Sequence, residues 1–396
     1  MKMVFILSDA LRHDYLQYMP FLQAMTEECP YYKKVIPGLG FCEISEYVSG
    51  RTSLDTGNIF QVTFSGKFGK THLHDLTMAN KIVNKIPRVR RYSARLLDRY
   101  LQKYDGSLFE HDMLRVRYNI PLSMLSFFIP TESKLKYDAP EFFPATNLFH
   151  ILQKAGLSYD IQDFVEHNKI KGTDDERLAR LRTKIEAKNL KDFTLLYIGF
   201  GEIAHATGTR SASFHSKLTS YDGTLKNLYA LLKKNYGEDF RFVILGDHGM
   251  VDVEKYIDIT ELIEQMKDKF HLTVGEDFVY FIDSTAFRVW LRDQRFLSEC
   301  NAMIQERLAT DLDEVDLGRA DNFYGDLIYI LRPGRVFFPD FFNVYKNKGM
   351  HGYTNKIDEQ KGMCLILGDQ RHAVHEELEL HCAHQLILEQ FGLSFA

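Results

Sequence analysis

The stretch FVILGDHGM, residues 242–250, joins an apolar run to Gly246, Asp247, His248, Gly249 and Met250. A short apolar run rich in β-branched residues and closed by glycine reads as a strand buried on both faces, the kind that lies inside a parallel sheet. In open α/β sheets, ligands gather beyond the carboxyl ends of the strands, and that is where Asp247 and His248 fall. Adjacent Asp and His on a turn can both reach one cation, with Gly249 allowing the tight backbone this needs. A polar turn also holds Asp-His by chance, but the strand before the pair and the Gly-Met after it favour the metal reading.

Outward from this stretch, similar runs recur: MVFIL (3–7), KVI (34–36), FTLLYIGF (193–200), DLIYIL (326–331) and MCLILG (363–368). Helical patterns lie between and after them, as at 211–236 and 372–391. The alternation predicts an α/β fold with a largely parallel central sheet flanked by helices on both faces. Two sections break the rhythm. Residues 59–145 show no buried strand and carry the basic run KIPRVRRYSARLLDRYLQK (85–103), then YNIPLSMLSFFIP (118–130), which reads as an inserted helical cap. Residues 271–340 carry VYFIDST and AFRVWL, the pattern of a small antiparallel β subdomain. The expected whole, 1–396, is one domain bearing both.

Bulk properties narrow the function. The 396 residues are 45% hydrophobic and 26% charged, ordinary for a globular protein. A net charge of −5 argues against a general nucleic-acid binder, which needs excess Lys and Arg. Cys29, Cys42, Cys300, Cys364 and Cys382 are scattered, with no CxxC pair, so they form neither a disulfide framework nor a zinc knuckle. The apolar stretch after Met1 is too short for a signal peptide, and no run of about 18 apolar residues exists, so a cytoplasmic location is expected. Arg88, Arg90, Arg91, Arg95 and Arg99, interleaved with apolar residues, suit peripheral contact with an anionic membrane through 85–130. The more usual role of such a pattern is a helix packed on its own domain.

Three further strand ends carry metal-ligating types. Asp9 stands in FILSDALR directly after the first strand, where a carboxylate serves as a metal ligand or a helix N-cap. Glu202 and His205, in IGFGEIAHATG, share a helix face and can chelate one ion, or simply face solvent. His351 stands in GMHGY between two glycines. Together these histidines and carboxylates suggest two adjacent divalent cations. Oxygen and imidazole donors without thiolate fit zinc, with manganese second.

Asp9, then Asp247-His248-Gly249-Met250, then His351-Gly352-Tyr353, in that order over most of the chain, resemble the type I phosphodiesterase/nucleotide pyrophosphatase family of the alkaline-phosphatase superfamily. CEISEYVSGRTSLDTGN (42–58) resembles the helix that follows that family's nucleophile, and GDLIYILRPG (325–334) also falls where the family has it. The resemblance implies that Asp9, Asp247 and His248 hold one zinc beside the nucleophile, while His205, His351 and a carboxylate hold the other. It implies in-line displacement at phosphorus between the two ions.

Two departures from the family stand out. The family's Asp four residues before the helix histidine is Gly201 here, with Glu202 the available substitute. The nucleophilic Thr or Ser ten residues before Gly50 is Gly40, and the nearest candidates are Cys42 and Ser45. A helix N-terminus and a cation would favour the Cys42 thiolate; the bland alternative is a buried thiol. Attack by a metal-activated water is another route. Lys67 and Lys70, in SGKFGKTHLH, could meet phosphate charge or line a solvated loop. The expected activity is hydrolysis of a small-molecule phosphodiester or pyrophosphate. A phosphotransferase acting on a head-group or lipid-linked substrate, and a degenerate relative that binds without turnover, are the alternatives.

Overall fold

Seven strands make the main sheet: β1 (Lys2–Ser8), β2 (Tyr31–Ile36), β3 (Tyr159–Gln162), β4 (Phe193–Ile198), β5 (Phe240–Leu245), β6 (Gly362–Leu367) and β7 (Val374–Glu379). Their order is 7-2-6-5-1-4-3 in the computed structural model, which describes residues 1–69, 119–131, 147–162, 173–313 and 323–394. β1 lies between β4 and β5 and runs parallel to both, with Phe5 opposite Leu195 on one side and Val243 on the other. Only β6 runs antiparallel to its neighbours, β2 and β5. The sheet is therefore largely parallel, as expected.

The continuous apolar runs are explained by what covers each face. Val4, Ile6, Leu196, Ile244 and Leu365 pack into one cluster with Phe214, Leu218, Leu225 and Leu232 from the long helix Ala212–Tyr236. Met3, Phe5, Leu7, Leu195, Leu245 and Ile366, the alternate positions, pack into another with Phe149 of the helix Leu148–Lys154 and with Ile387 and Leu388 of the helix Ala383–Gln390. Side chains alternate faces along a strand, so burial on both sides demands apolar residues at every position.

The segment 372–391 is not helical throughout. β7 occupies Val374–Glu379 and the helix begins only at Ala383. The sequence VHEELE is largely exposed, and charge on an edge strand guards it against pairing with other chains. DLIYIL is a strand, Leu327–Ile330, but it does not join the main sheet. It pairs antiparallel with Ala286–Leu291, which pairs in turn with Phe278–Ile282. Leu327 and Ile328 are only half-buried, because this strand lies at the edge of its sheet beside the fully buried Ala286–Leu291.

The chain divides into two compact units. The first comprises Met1–Ile59, Ser133–Asp252 and Lys348–Ala396, and the second Phe60–Glu132 and Val253–Asn347. The described parts of the two sections that break the alternation thus share one unit. Within 59–145 they include the short antiparallel pair Val62–Phe64 and Phe128–Pro130, too brief to show a period in the sequence. The rest of the expected helical cap, with the Arg-rich run 85–103 and Lys70, lies outside the described residues. The second unit has its own core around Phe281, Phe287, Val289, Trp290 and Phe337. At its centre Arg288 is wholly buried, its Nε donating to Asp283 at 2.8 Å and its guanidinium lying 4.3 Å from the Phe60 ring centroid. Among the described residues, no helix is long and apolar enough to cross a membrane.

Candidate metal centre

The ends of β1 and β5 lie side by side, and the loops leaving them meet. Asp9 extends β1 by one ladder bond, its N–H donating to Ile198 O at 3.0 Å. Ala10 then adopts φ 56°, and its N–H lies 3.4 Å from Asp247 Oδ1. His248 is buried, with Nδ1 2.8 Å from the Gly249 carbonyl. That bond leaves Nε2 facing the carboxylates, 3.3 Å from Asp9 Oδ1 and 3.8 Å from Asp247 Oδ1. Asp9, Asp247 and His248 each place one donor atom within 4.8 Å of the others.

His351 follows the short strand Gly349–Met350, which pairs with Val251–Asp252 just beyond the DHGM turn. This pairing brings residues a hundred positions apart together, and the His351 ring stacks on His248 at 3.9 Å between centroids. The His205 ring, on the helix Glu202–Thr207, is 5.5 Å from that of His351, and its Nδ1 lies 2.8 Å from Gly349 O.

A third carboxylate enters from the helix α1 (Glu43–Ser49). Glu43 Oε1 is 3.9 Å from His351 Nδ1, and both atoms are buried without a hydrogen-bond partner. Glu43, His248 and His351 form a second group whose donor atoms lie within 4.8 Å of one another. The sequence reading missed Glu43. Its signal was position, one residue past Cys42 on a helix already placed at the site. An acidic residue in a first helical turn ordinarily needs no more explanation than the helix dipole.

Burial and mutual repulsion set the electrostatics. Burial pushes the Glu43 carboxyl up to about 8, against the pull of His248. Burial likewise lifts Asp247 to about 6. For His248, burial opposes the charge, but Asp247, Asp9 and Glu43 outweigh it and hold the imidazole well above its ordinary value. His351 is driven well below it by burial, then by His248 and His205. Clustered buried acids and imidazoles with orphaned donor atoms are costly to keep unless cations join them. The donors are oxygen and nitrogen throughout, so the residues fit divalent ions of the zinc or manganese type.

The remaining expected residues are placed as follows. Glu202 is the first residue of its helix and is exposed, and neither group of close donors includes it. Cys42 is buried at the N-cap of α1, and neither group includes its thiol. Ser45 is buried with Oγ donating back to the Cys42 carbonyl at 2.7 Å. Lys67 is exposed in the second unit. Gly40 has φ 102°, and a Cβ there would lie 1.8 Å from the Ile59 carbonyl oxygen. No side chain, nucleophilic or otherwise, fits at that position without moving the backbone.

A family model described as type I phosphodiesterase/nucleotide pyrophosphatase matches residues 124–354, more than half the chain and inclusive of DHGM and HGY. The chain belongs to that family, within the alkaline-phosphatase superfamily. Solved structures of similar fold include murine ectonucleotide pyrophosphatase/phosphodiesterase 5, at 15% identity and a TM-score of 0.69, covering 100% of this chain and 96% of that one. The human protein of the same name gives 14% identity, the same coverage and a TM-score of 0.68. An inactive variant of the murine protein, solved in complex with AMP, gives 14% identity, the same coverage and 0.68. Comparison with curated proteins finds no match. The family match begins after Asp9 and α1, so for those residues the likeness is one of fold.

Proposed function

We propose that this family member is a two-metal phosphodiesterase or pyrophosphatase acting on a nucleotide-type small molecule. The observation that carries the reading is the convergence of Asp9, Asp247 and His248, with His351 stacked against His248. In this reading Asp9, Asp247 and His248 hold one divalent ion, while His205, His351 and a carboxylate hold the other. When bound, paired divalent ions stabilise charge on the attacking and leaving oxygens of an in-line displacement at phosphorus. The protein's own part is to orient the donors. The Gly249 carbonyl fixes His248 with Nε2 toward Asp9 and Asp247, and the Gly349 carbonyl holds the His205 ring at Nδ1. The AMP bound by the inactive murine relative supports the nucleotide class of substrate.

The closed space at Gly40 moves the question of the nucleophile to Cys42 or to water. Cys42 stands buried at the N-cap of α1, directly before Glu43. The test is hydrolysis of bis-p-nitrophenyl phosphate and p-nitrophenyl phosphate with zinc or manganese. Wild type should turn over the diester, and Asp247→Asn should lose on the order of a hundredfold or more. Loss in Cys42→Ala as well assigns the thiol; retention assigns water or Ser45. A protein that binds metal yet hydrolyses neither ester would sink the hydrolase reading.

A further inference from the structure

Resting on the two-ion reading above, we propose that Glu43 supplies the carboxylate of the second ion, in place of the Asp that relatives carry on the histidine helix. The usual position is closed in this chain. A Cβ on Gly201 would lie 2.4 Å from the Asp9 carbonyl oxygen and 3.0 Å from Ala10 Cβ, so an Asp there would displace the very turn that presents Asp9. Glu202, one step along, is exposed.

Glu43 has the opposite properties. Its Oε1 and His351 Nδ1 are both buried, both without a hydrogen-bond partner, and 3.9 Å apart. That separation is too long for a hydrogen bond. It does suit two donors on one ion, since zinc bonds of about 2.0–2.2 Å place neighbouring ligand atoms on the order of 3.5 Å apart. The other acid of the helix is committed elsewhere: Glu46 accepts from the N–H groups of Gly38 at 2.9 Å and Ser53 at 2.7 Å. The second ion then ties α1, as well as the histidine helix, to the site. Its carboxylate comes from the residue next to Cys42, so ion occupancy and the start of α1 are linked.

Zinc titration by calorimetry, with metal analysis after dialysis, tests this without recourse to activity. Wild type should hold two equivalents. Glu43→Gln should keep one and bind the second at least about tenfold more weakly, since even outer-shell changes at metal sites cost that much. Glu202→Gln should match wild type. Two ions held with unchanged affinity in Glu43→Gln, or loss of the second in Glu202→Gln, overturns this proposal and leaves the two-ion reading standing. A wild type that holds fewer than two overturns both. Should Glu43→Gln fail to fold by circular dichroism, Glu43→Asp, which keeps the charge on a shorter arm, takes its place. A weakened second site there supports the assignment, and an unchanged one overturns it.

Discussion

Glu46 spans both ends of α1, with one carboxylate oxygen on the Gly38 N–H and the other on the Ser53 N–H. Burial pushes its carboxyl up to about 7 despite those bonds. A carboxyl raised in the folded state holds its proton where the unfolded chain has lost it. Its stabilising contribution is therefore complete below about 4.5 and is lost as pH rises through about 7. Relative to Glu46→Gln, which cannot titrate, wild type should lose up to about 3 kcal/mol across that window in urea denaturation. A pH-independent difference between the two would contradict this. Gly40 makes a second residue-scale case. Restoring the family's Thr there should not restore a nucleophile. It should instead destabilise by at least about 3 kcal/mol, through positive φ and the clash with Ile59, seen as a lowered melting temperature. The absence of a hydroxyl at position 40 was legible in the sequence. Its cause was not, because the Ile59 carbonyl reaches Gly40 from nineteen residues away.

Elements were legible where burial is two-sided and obscure where it is not. β1, β4, β5 and β6 are continuous apolar runs because clusters cover both faces of the sheet, yet the runs do not encode direction, and β6 is reversed. β7 reads as polar and as part of a helix, because an edge strand with solvated faces need not alternate. The helix that follows β7 contributes to the site indirectly. His384 Nδ1 lies 3.2 Å from Tyr47 O and 3.0 Å from Val48 O, so a donated proton satisfies carbonyls in the last turn of α1. Burial holds this imidazole below its ordinary value of 6.5. The unfolded chain thus takes up the proton first, and stability present above 6.5 is lost as pH falls through the depressed value. His384→Ala should cost about 1–3 kcal/mol at neutral pH. His384→Asn should retain more stability than wild type as the solution is acidified, measured by denaturant midpoints at pH 7 and pH 5. Equal acid sensitivity would remove His384 from the account.

At the scale of the molecule, the candidate ligands extend from Asp9 to His351, but all of them lie in the first unit. Each motif was readable singly, and their order suggested a shared site. Their approach depends on pairings that no local pattern states, above all Gly349–Met350 with Val251–Asp252. Such a site makes metal binding a term in folding, because the unfolded chain cannot gather donors so far apart. Free zinc at a hundred times its dissociation constant should stabilise the first unit by about 2.7 kcal/mol per site, and a chelator should reverse the gain. The second unit has a separate core, with Arg288 and Asp283 at its centre, and contains none of these ligands. Hydrogen exchange should therefore slow on zinc addition in β1, β5 and α1, while peptides from 278–291 change little. Equal protection of both units would mean that zinc acts through global stability rather than through the strand ends. Slowing confined to the second unit would place the ions away from Asp9, Asp247 and His248 altogether.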